Sequence, residues 1–183
     1  MPVQVTATAP SFEAKAYLAA EDTFETLTLE QYRDRWVCLF FYPTDFAWVC
    51  PTEVAAFAAA HERFVERSCV VLGCSCDTHL VHKAWCDHTE ALRELPFPLL
   101  ADITKRIAMD YGVLQPDKGV ALRGTFLIDP RGVLRWMCVN DPRVGRNVEE
   151  VLRNLEALQT EGRCPCNWQP GDPTLDASPS RPV

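Results

Sequence analysis

The chain alternates between continuous apolar runs and stretches in which apolar residues recur at helical spacing. Two runs of strand length, WVCLFFYP from Trp36 and CVVLGCSC from Cys69, predict strands that are buried on both faces. Between them, TEVAAFAAAHERFVER places Val54, Phe57 and Phe64 on one helical face, which predicts a single helix. This part of the chain therefore predicts a strand, a helix and a second strand in succession.

The rest of the chain continues the alternation and adds a hairpin. HLVHKAWCDH predicts a helix with Asp77 or Thr78 as its N-cap, FPLLAD a short strand, and ITKRIAMDYGV a helix that closes near Gly112. The segments GTFLI and VLRWMCV flank DPRG, a turn sequence that is typical of a β-hairpin. The last amphipathic pattern, VEEVLRNLEALQTEG, predicts a helix that stops at Gly162.

This order of elements predicts an α/β fold in which a mixed central sheet is flanked by helices on both faces, as in a thioredoxin-like fold. A chain of 183 residues is long enough to bury one hydrophobic core. We therefore expect one thioredoxin-like domain over residues 1–162. A Pro-rich tail with few residues to pack follows over residues 163–183.

The charge of the chain argues against two classes of partner. Its formal net charge is −7, its pI is near 5.1, and it has no run of Lys or Arg, so we expect neither nucleic acid nor a membrane surface as partner. The first residues show no basic segment followed by an apolar one, and the longest apolar stretch is too short to cross a bilayer. We therefore expect a cytoplasmic protein.

Cysteine is the residue type that carries candidate chemistry in this sequence. The odd count disfavours a disulfide framework, and the CSC and CPC spacings differ from the C-x-x-C pairs of zinc sites. His79 and His82 lie three residues apart on a predicted helix, but no third metal ligand accompanies them, and no Gly-rich phosphate loop is present. We therefore expect no metal and no nucleotide, and a few thiols that are used chemically. The nine cysteines are Cys38, Cys50, Cys69, Cys74, Cys76, Cys86, Cys138, Cys164 and Cys166.

Cys50 stands out because it directly precedes a proline at the point where a helix begins. Pro51 suits the first helical position, since its fixed φ fits the helix and its missing N–H would have no partner there. Cys50 is then predicted to be the N-cap, with its sulfur facing free amides and the positive end of the helix dipole. Such surroundings favour the thiolate, which is the nucleophilic form of cysteine. The alternative is a buried structural cysteine.

Five motifs in order along the chain resemble those of the typical 2-Cys peroxiredoxins. The motif that contains Cys50 resembles the peroxidatic motif of that family, and NWQPGDPTL looks like the bacterial alkyl hydroperoxide reductase C branch. The resemblance implies a thiol peroxidase that reduces hydrogen peroxide and small organic hydroperoxides without metal, haem or flavin. The five motifs are FYPTDFAWVCPTE, DTHLVHKAW, RGTFLIDPRG, VGRNVEEVLR and CPCNW.

The resemblance also implies a role for each residue that matches the peroxidatic site. Cys50 matches the peroxidatic cysteine, and Pro43 the proline that shields it from water. Glu53 matches the glutamate that orients an arginine. Arg123 matches the arginine that stabilises the thiolate and holds the peroxide, and Arg146 matches a second arginine near the site. Fixed positive charge at such a site would stabilise the oxygen that leaves as the peroxide bond breaks.

Cys164 matches the resolving cysteine, which in this family comes from the partner subunit of a homodimer. A sulfenic acid on Cys50 would condense with this thiol into an intersubunit disulfide. An outside protein, either thioredoxin-like or a flavoprotein disulfide reductase, would then reopen that disulfide. Family resemblance suggests a dimer or a ring of dimers. Cys164 lies beyond the last predicted helix, in a tail that we expect to be flexible and able to reach the site.

Two positions depart from the family pattern. Ala47 stands where the motif carries a threonine whose hydroxyl bonds peroxide and thiolate, and Thr44 lies at the wrong spacing to replace it. Cys166 is an extra thiol two residues beyond the resolving position. Two other classes of function therefore stay open. One is a holdase-type chaperone or redox sensor in which Ala47 weakens catalysis, and the other is a disulfide oxidoreductase that works through CPC.

Overall fold

The computed structural model describes residues 3–160 and 162–175. The chain forms two compact units, Met1–Arg146 and Asn147–Val183. The predicted boundary between residues 162 and 163 stays a prediction, and residues 176–183 of the predicted tail lie outside the described residues. Within the described residues, no helix is long and apolar enough to cross a membrane.

The first unit is built on a mixed β-sheet. Its strands are β1 (Glu13–Leu18), β2 (Thr23–Thr28), β3 (Trp36–Phe41), β4 (Cys69–Ser75), β5 (Leu99–Ala101), β6 (Leu114–Gln115), β7 (Val120–Ala121), β8 (Arg123–Ile128) and β9 (Leu134–Asn140). Seven of them form one sheet in the order β2-β1-β5-β4-β3-β8-β9, and β6 pairs with β7 separately. The pairs β3–β4 and β4–β5 are parallel, whereas the remaining pairs are antiparallel. The predicted mixed sheet is confirmed.

The described residues contain five α-helices. They are α1 (Cys50–Ala59), α2 (His61–Glu66), α3 (His79–His88), α4 (Arg106–Asp110) and α5 (Val148–Gln159). Thr78 caps α3 as predicted, because its hydroxyl accepts a hydrogen bond from the N–H of Val81 at 3.2 Å. Asn147 caps α5 in the same way, with its side-chain oxygen accepting from the N–H groups of Glu149 and Glu150. Two 3-10 turns lie at Leu29–Tyr32 and Glu90–Leu92.

Helices cover both faces of the sheet in the first unit, as the continuous apolar strands predict. Successive residues of β3 point to opposite faces. The ring of Phe40 stacks on Phe57 of α1 with centroids 4.2 Å apart, and the ring of Phe41 packs against Tyr111, which ends α4, at 5.5 Å. Each fully buried aromatic ring stabilises the fold by roughly 1.5–3 kcal/mol relative to exposure.

The helix predicted between β3 and β4 is in fact two helices. The chain leaves helical geometry at Ala60, whose φ and ψ are −93° and 0°, so that α1 ends and α2 begins. Phe57 and Phe64 both stay buried across this break, with ring centroids 6.0 Å apart. The spacing of apolar residues therefore continues across the break, although the helical geometry of the backbone is interrupted. For this reason, periodicity alone could not reveal the break.

Candidate active site

Cys50 is the first residue of α1, whereas the sequence predicted it as the N-cap. The N-cap is Val49, whose carbonyl accepts hydrogen bonds from the N–H groups of Thr52 and Glu53 at 3.1 and 3.3 Å. The Thr52 hydroxyl donates to the same carbonyl at 2.6 Å, which extends the first turn backward by one residue. Pro51 still lies in the first turn, where its missing N–H leaves no hydrogen bond unmade. The side chain of Cys50 is buried.

Arg123, the first residue of β8, points its guanidinium at Cys50. Its Nη1 lies 3.5 Å from the sulfur of Cys50, and both residues are buried. Its Nε donates to the carbonyl of Pro142 at 2.9 Å, and Nη1 also pairs with the carboxylate of Glu53. The guanidinium is thus held by two acceptors, and its charge favours an anionic sulfur beside it.

Glu53 lies on α1 three residues after Cys50 and joins both arginines. Its carboxylate pairs with Arg123 and accepts from the Nε and Nη2 of Arg146 at 2.9 and 3.0 Å. The backbone N–H of Arg146 donates to the same carboxylate at 2.9 Å. Burial alone would raise the pKa of Glu53, but the hydrogen bonds and charge of Arg146, with the charge of Arg123, outweigh it and lower the pKa.

Arg146 is fixed as a second buried cation. Its Nη1 donates to the carbonyl of Gly124 at 3.1 Å, and its guanidinium carbon lies 5.1 Å and 5.9 Å from the ring centroids of Phe40 and Phe57. These are cation–π distances. The two arginines outnumber the one carboxylate of Glu53, so the group around Cys50 carries net positive charge. Cys50, Glu53, Arg123 and Arg146 are brought together, and their individual roles stay predictions.

The loop between β3 and α1 supplies the remaining predicted residue. Pro43 is half-buried where the chain leaves β3, and its shielding role stays a prediction. Ala47 is also half-buried, whereas Phe46 and Trp48 on either side of it are exposed. The hydroxyl of Thr44 donates to the carboxylate of Asp77 at 3.2 Å.

A buried polar network beneath this loop was not predicted. The hydroxyl of Tyr42 donates to Asp45 at 2.9 Å, and the other carboxylate oxygen of Asp45 lies 2.7 Å from Nδ1 of His82. Nε2 of His82 lies 3.1 Å from the carbonyl of Leu100, so it carries a proton, because a carbonyl can only accept. Burial raises the pKa of Asp45, while the hydrogen bond and charge of His82 act in the opposite direction.

His82 is therefore a buried histidine with both nitrogens in hydrogen-bond contact. Its predicted neighbour His79 is half-buried and packs edge-to-face against Phe24 with ring centroids 5.0 Å apart. Among residues 3–160 and 162–175, no three His, Cys, Asp or Glu side chains lie together as a metal site. The expectation of no metal stays a prediction.

The second unit holds the predicted resolving cysteine. The sulfur of Cys164 lies 3.7 Å from the carbonyl of Ala157 in α5 and 3.5 Å from the hydroxyl of Thr160. Cys164 is half-buried, Cys166 is exposed, and both are free thiols. The expectation that this segment packs little is wrong for Trp168, whose indole is buried and donates to the carbonyl of Asp172 at 2.9 Å.

Known proteins resemble this chain over nearly its full length. The AhpC/TSA family matches residues 5–137, and the C-terminal domain of 1-Cys peroxiredoxin matches residues 158–181. A thioredoxin peroxidase of Echinococcus granulosus is 45% identical over 177 residues, which cover 93% of this chain and 91% of that protein. The alkyl hydroperoxide reductase C of Mycobacterium tuberculosis is 45% identical over 156 residues, covering 85% of this chain and 80% of that protein.

Solved structures show the same architecture. The reduced 2-Cys peroxiredoxin of Plasmodium vivax superposes with a TM-score of 0.89 at 39% identity, covering 94% of this chain and 93% of that one. The AhpC of Mycobacterium tuberculosis gives 0.84 at 36% identity, covering 92% of this chain and 100% of that one. The predicted thioredoxin-like fold is thereby confirmed. With its buried cysteine and arginine pair, the chain belongs to the AhpC/TSA family of peroxiredoxins and is a thiol peroxidase that reduces peroxides.

Proposed function

We propose that the Cys50 thiolate attacks one oxygen of hydrogen peroxide or of a small organic hydroperoxide. The O–O bond breaks, Cys50 becomes a sulfenic acid, and the second oxygen leaves as hydroxide or alkoxide and takes up a proton. The observation that carries this proposal is the 3.5 Å contact between Nη1 of Arg123 and the sulfur of Cys50 inside a buried site. A cation at this distance favours the nucleophilic thiolate.

Arg123 has a second role in the proposal, because its charge lies where negative charge develops on the leaving oxygen. Preorganised donors of this kind stabilise a transition state since they need no rearrangement as the reaction proceeds. Glu53 and Arg146 act through Arg123 as positioning residues: Glu53 holds both guanidinium groups, and Arg146 fixes Glu53 from the opposite side. Pro43 covers the start of the loop and limits the entry of water.

The sulfenic acid is then resolved by Cys164 of a second copy of the chain. Cys50 is buried, so formation of a Cys50–Cys164 disulfide requires the first turn of α1 to open. We place this reaction in a homodimer, or a ring of dimers. Support comes from β9, which forms one edge of the sheet and leaves backbone groups able to pair with another strand.

An outside dithiol protein reopens the disulfide, either a thioredoxin-like protein or a flavoprotein disulfide reductase. The names of two relatives, a thioredoxin peroxidase and a thioredoxin-dependent peroxide reductase, support the first of these. A cytoplasmic location stays a prediction, and the second of these relatives is described as mitochondrial.

The proposal is tested by following peroxide consumption with thioredoxin, thioredoxin reductase and NADPH. Wild type turns over continuously. Cys50→Ser consumes no peroxide, and Cys164→Ser consumes about one peroxide per chain and then stops, because its sulfenic acid cannot be resolved. Consumption by Cys50→Ser at the wild-type rate contradicts the proposal.

A binding function on the same fold is the second candidate. Trp48 is 96% exposed and Phe46 is 55% exposed, and these rings flank Ala47, at which the family hydroxyl is missing. A holdase-type chaperone or redox sensor would use such apolar surface to hold partner proteins. If the protein has such a function, Cys50→Ser should suppress the aggregation of a heated client protein as well as wild type does. A disulfide oxidoreductase would instead depend on Cys164 and Cys166 and not on Cys50.

A further inference from the structure

The thiol of Cys166 lies at the corner of an ordered turn. The N–H of Trp168 donates to the carbonyl of Pro165 at 3.2 Å, which closes a four-residue turn with Cys166 and Asn167 at its two central positions. Asn167 has a φ of 60°, as the third residue of a type II turn requires. Cys166 is exposed at this corner, two residues after Cys164.

The turn is anchored within the second unit. The indole of Trp168 is buried, and its carbonyl accepts a hydrogen bond at 3.0 Å from Arg153 of α5, whose guanidinium also pairs with Glu150. Cys166 is therefore presented to solvent by a fixed piece of backbone. An accessible thiol on such a turn is suited to meet the active site of another protein.

The two thiols of the CPC sequence have different surroundings. Cys164 is half-buried against the carbonyl of Ala157 and the hydroxyl of Thr160. Cys166 is exposed. If a disulfide joins these two residues, the thiolate of a reductase reaches the exposed sulfur of Cys166. The sulfur of Cys164 is then the one that leaves.

We propose that Cys166 is a third catalytic thiol that transfers the disulfide from the peroxidatic site to the reductase. This proposal rests on the proposed function, which supplies the Cys50–Cys164 disulfide. Cys166 loses its proton to solvent and attacks the sulfur of Cys164. The Cys164–Cys166 bond forms, the Cys50–Cys164 bond breaks, and Cys50 leaves as a thiolate, so that no net oxidation occurs. A dithiol protein then reduces the Cys164–Cys166 disulfide and is itself oxidised.

Two features of the chain favour this exchange. The displaced Cys50 returns to the positive charge of Arg123, and a stabilised thiolate is a good leaving group. The Cα atoms of residues two apart can be no more than about 7.6 Å from each other, so only a modest bend of the backbone at Pro165 would be needed to reach the range of roughly 4.4–6.8 Å that a disulfide requires. Release of Cys50 also lets the peroxidatic site refold before the reductase binds.

The test follows the oxidised protein over time after one equivalent of peroxide. Samples are quenched in acid and alkylated, and the peptide that follows Arg163 is weighed. In wild type the covalent Cys50–Cys164 dimer appears first and then decays to monomers. In these monomers the peptide carries no alkyl group and is lighter by about 2 Da than the unalkylated dithiol peptide, because of its internal disulfide. In Cys166→Ser the covalent dimer forms at the same rate and persists.

Recycling by thioredoxin gives the second readout. A tethered thiol acts at an effective concentration in the millimolar range, so we expect Cys166→Ser to be reduced by micromolar thioredoxin about tenfold more slowly. Cys138→Ser is the matched control, because Cys138 is an exposed thiol in the other unit, and it should recycle like wild type. Equal recycling of wild type and Cys166→Ser, or no internal disulfide in the wild-type peptide, overturns the role of Cys166. A wild type that never forms the Cys50–Cys164 disulfide overturns the proposed function instead.

Discussion

Ala47 is the residue at which this site departs most clearly from the pattern of its family. A bound peroxide offers lone pairs and a proton, and a threonine hydroxyl can both donate and accept, whereas a methyl group can do neither. The nearest hydroxyl in the sequence, that of Thr44, donates to Asp77 and so is engaged away from this position. In the proposed mechanism, the amides of the first turn of α1 and the guanidinium of Arg123 are then left to activate the peroxide.

The substitution Ala47→Thr should raise the second-order rate constant of Cys50 for hydrogen peroxide by at least about tenfold, which equals roughly 1.4 kcal/mol of transition-state stabilisation. Stopped-flow measurement of sulfenic acid formation tests this. Ala47→Val is the matched control, since valine has the shape of threonine without its hydroxyl, and it should bring no gain. An unchanged rate for Ala47→Thr means that this site activates peroxide in another way.

The site residues that the sequence could identify are those whose chemistry follows from local context. Cys50 before Pro51 predicts a reactive thiol at a helix start, although the helix includes Cys50 because Val49 takes helical φ and ψ. The local sequence around Arg123, by contrast, indicates only an arginine before a strand. Its contact with Cys50 depends on β8 lying beside β3, a long-range pairing that no local pattern contains.

At the scale of elements, His82 joins α3 to the loop after β3 and to β5. Its ring nitrogens contact the carboxylate of Asp45 and the carbonyl of Leu100, and its side chain is fully buried. Replacement by phenylalanine keeps a ring but removes both contacts, so the Leu100 carbonyl and one carboxylate oxygen of Asp45 lose their partner in His82. Leaving a buried hydrogen-bonding group without its partner typically costs roughly 1–3 kcal/mol.

Because His82 makes two such contacts, we expect His82→Phe to lower the free energy of unfolding by about 3 kcal/mol, measured by urea denaturation. His79→Phe is the matched control on the same helix, because His79 is half-buried and packs against Phe24 through its ring face and edge. It should change the free energy by less than about 0.5 kcal/mol. Equal effects of the two substitutions would show that the network around Asp45 contributes little.

Glu53 connects α1 to β8 through Arg123 and holds Arg146, so its charge state should control stability in acid. The folded pKa lies below the ordinary value of 4.5, which means that the unfolded chain binds the proton more tightly. The stabilisation is complete above pH 4.5 and is lost as the pH falls through the folded pKa.

Glu53→Gln should destabilise the protein by about 3 kcal/mol near neutral pH, because two buried arginines lose their counter-charge. The difference from wild type should shrink as the pH is lowered below about 4.5 in urea denaturation. Glu150→Gln removes a partly exposed partner of Arg153 and should cost less than about 1 kcal/mol. A difference for Glu53→Gln that stays constant with pH would contradict the assigned pKa shift.

Elements with a strong local sequence pattern could be predicted, whereas elements defined by their partners could not. β3, β4 and α3 follow from apolar runs and caps, and α3 has the predicted bounds. The hairpin of β1 and β2 was missed: most of β2 is exposed, with a burial pattern too weak to predict a strand. Its position is set by the pairing of β1 with β5, far along the sequence.

At the scale of the whole molecule, nine thiols must be sorted into reactive and inert ones, and burial does most of this. Burial raises the pKa of Cys38 to about 12, of Cys86 to about 12 and of Cys76 to about 11, and raises those of Cys69 and Cys74 well above the ordinary value. A raised pKa keeps a thiol protonated at neutral pH, and the protonated form is a poor nucleophile. We therefore expect these five cysteines to stay reduced when the protein meets peroxide.

We therefore expect brief exposure to peroxide to convert the protein to a covalent dimer, in which a disulfide joins Cys50 of one chain to Cys164 of the other. Early-quenched samples on non-reducing gels should show the dimer for wild type and for Cys138→Ser, and none for Cys50→Ser or Cys164→Ser. Mass spectrometry after alkylation should find the five cysteines with raised pKa values reduced, because their protonated thiols attack neither peroxide nor disulfide. Dithiothreitol should return the dimer to monomer. If Cys164→Ser still forms the dimer, the resolving thiol is not Cys164, and Cys166, exposed two residues away, becomes its replacement.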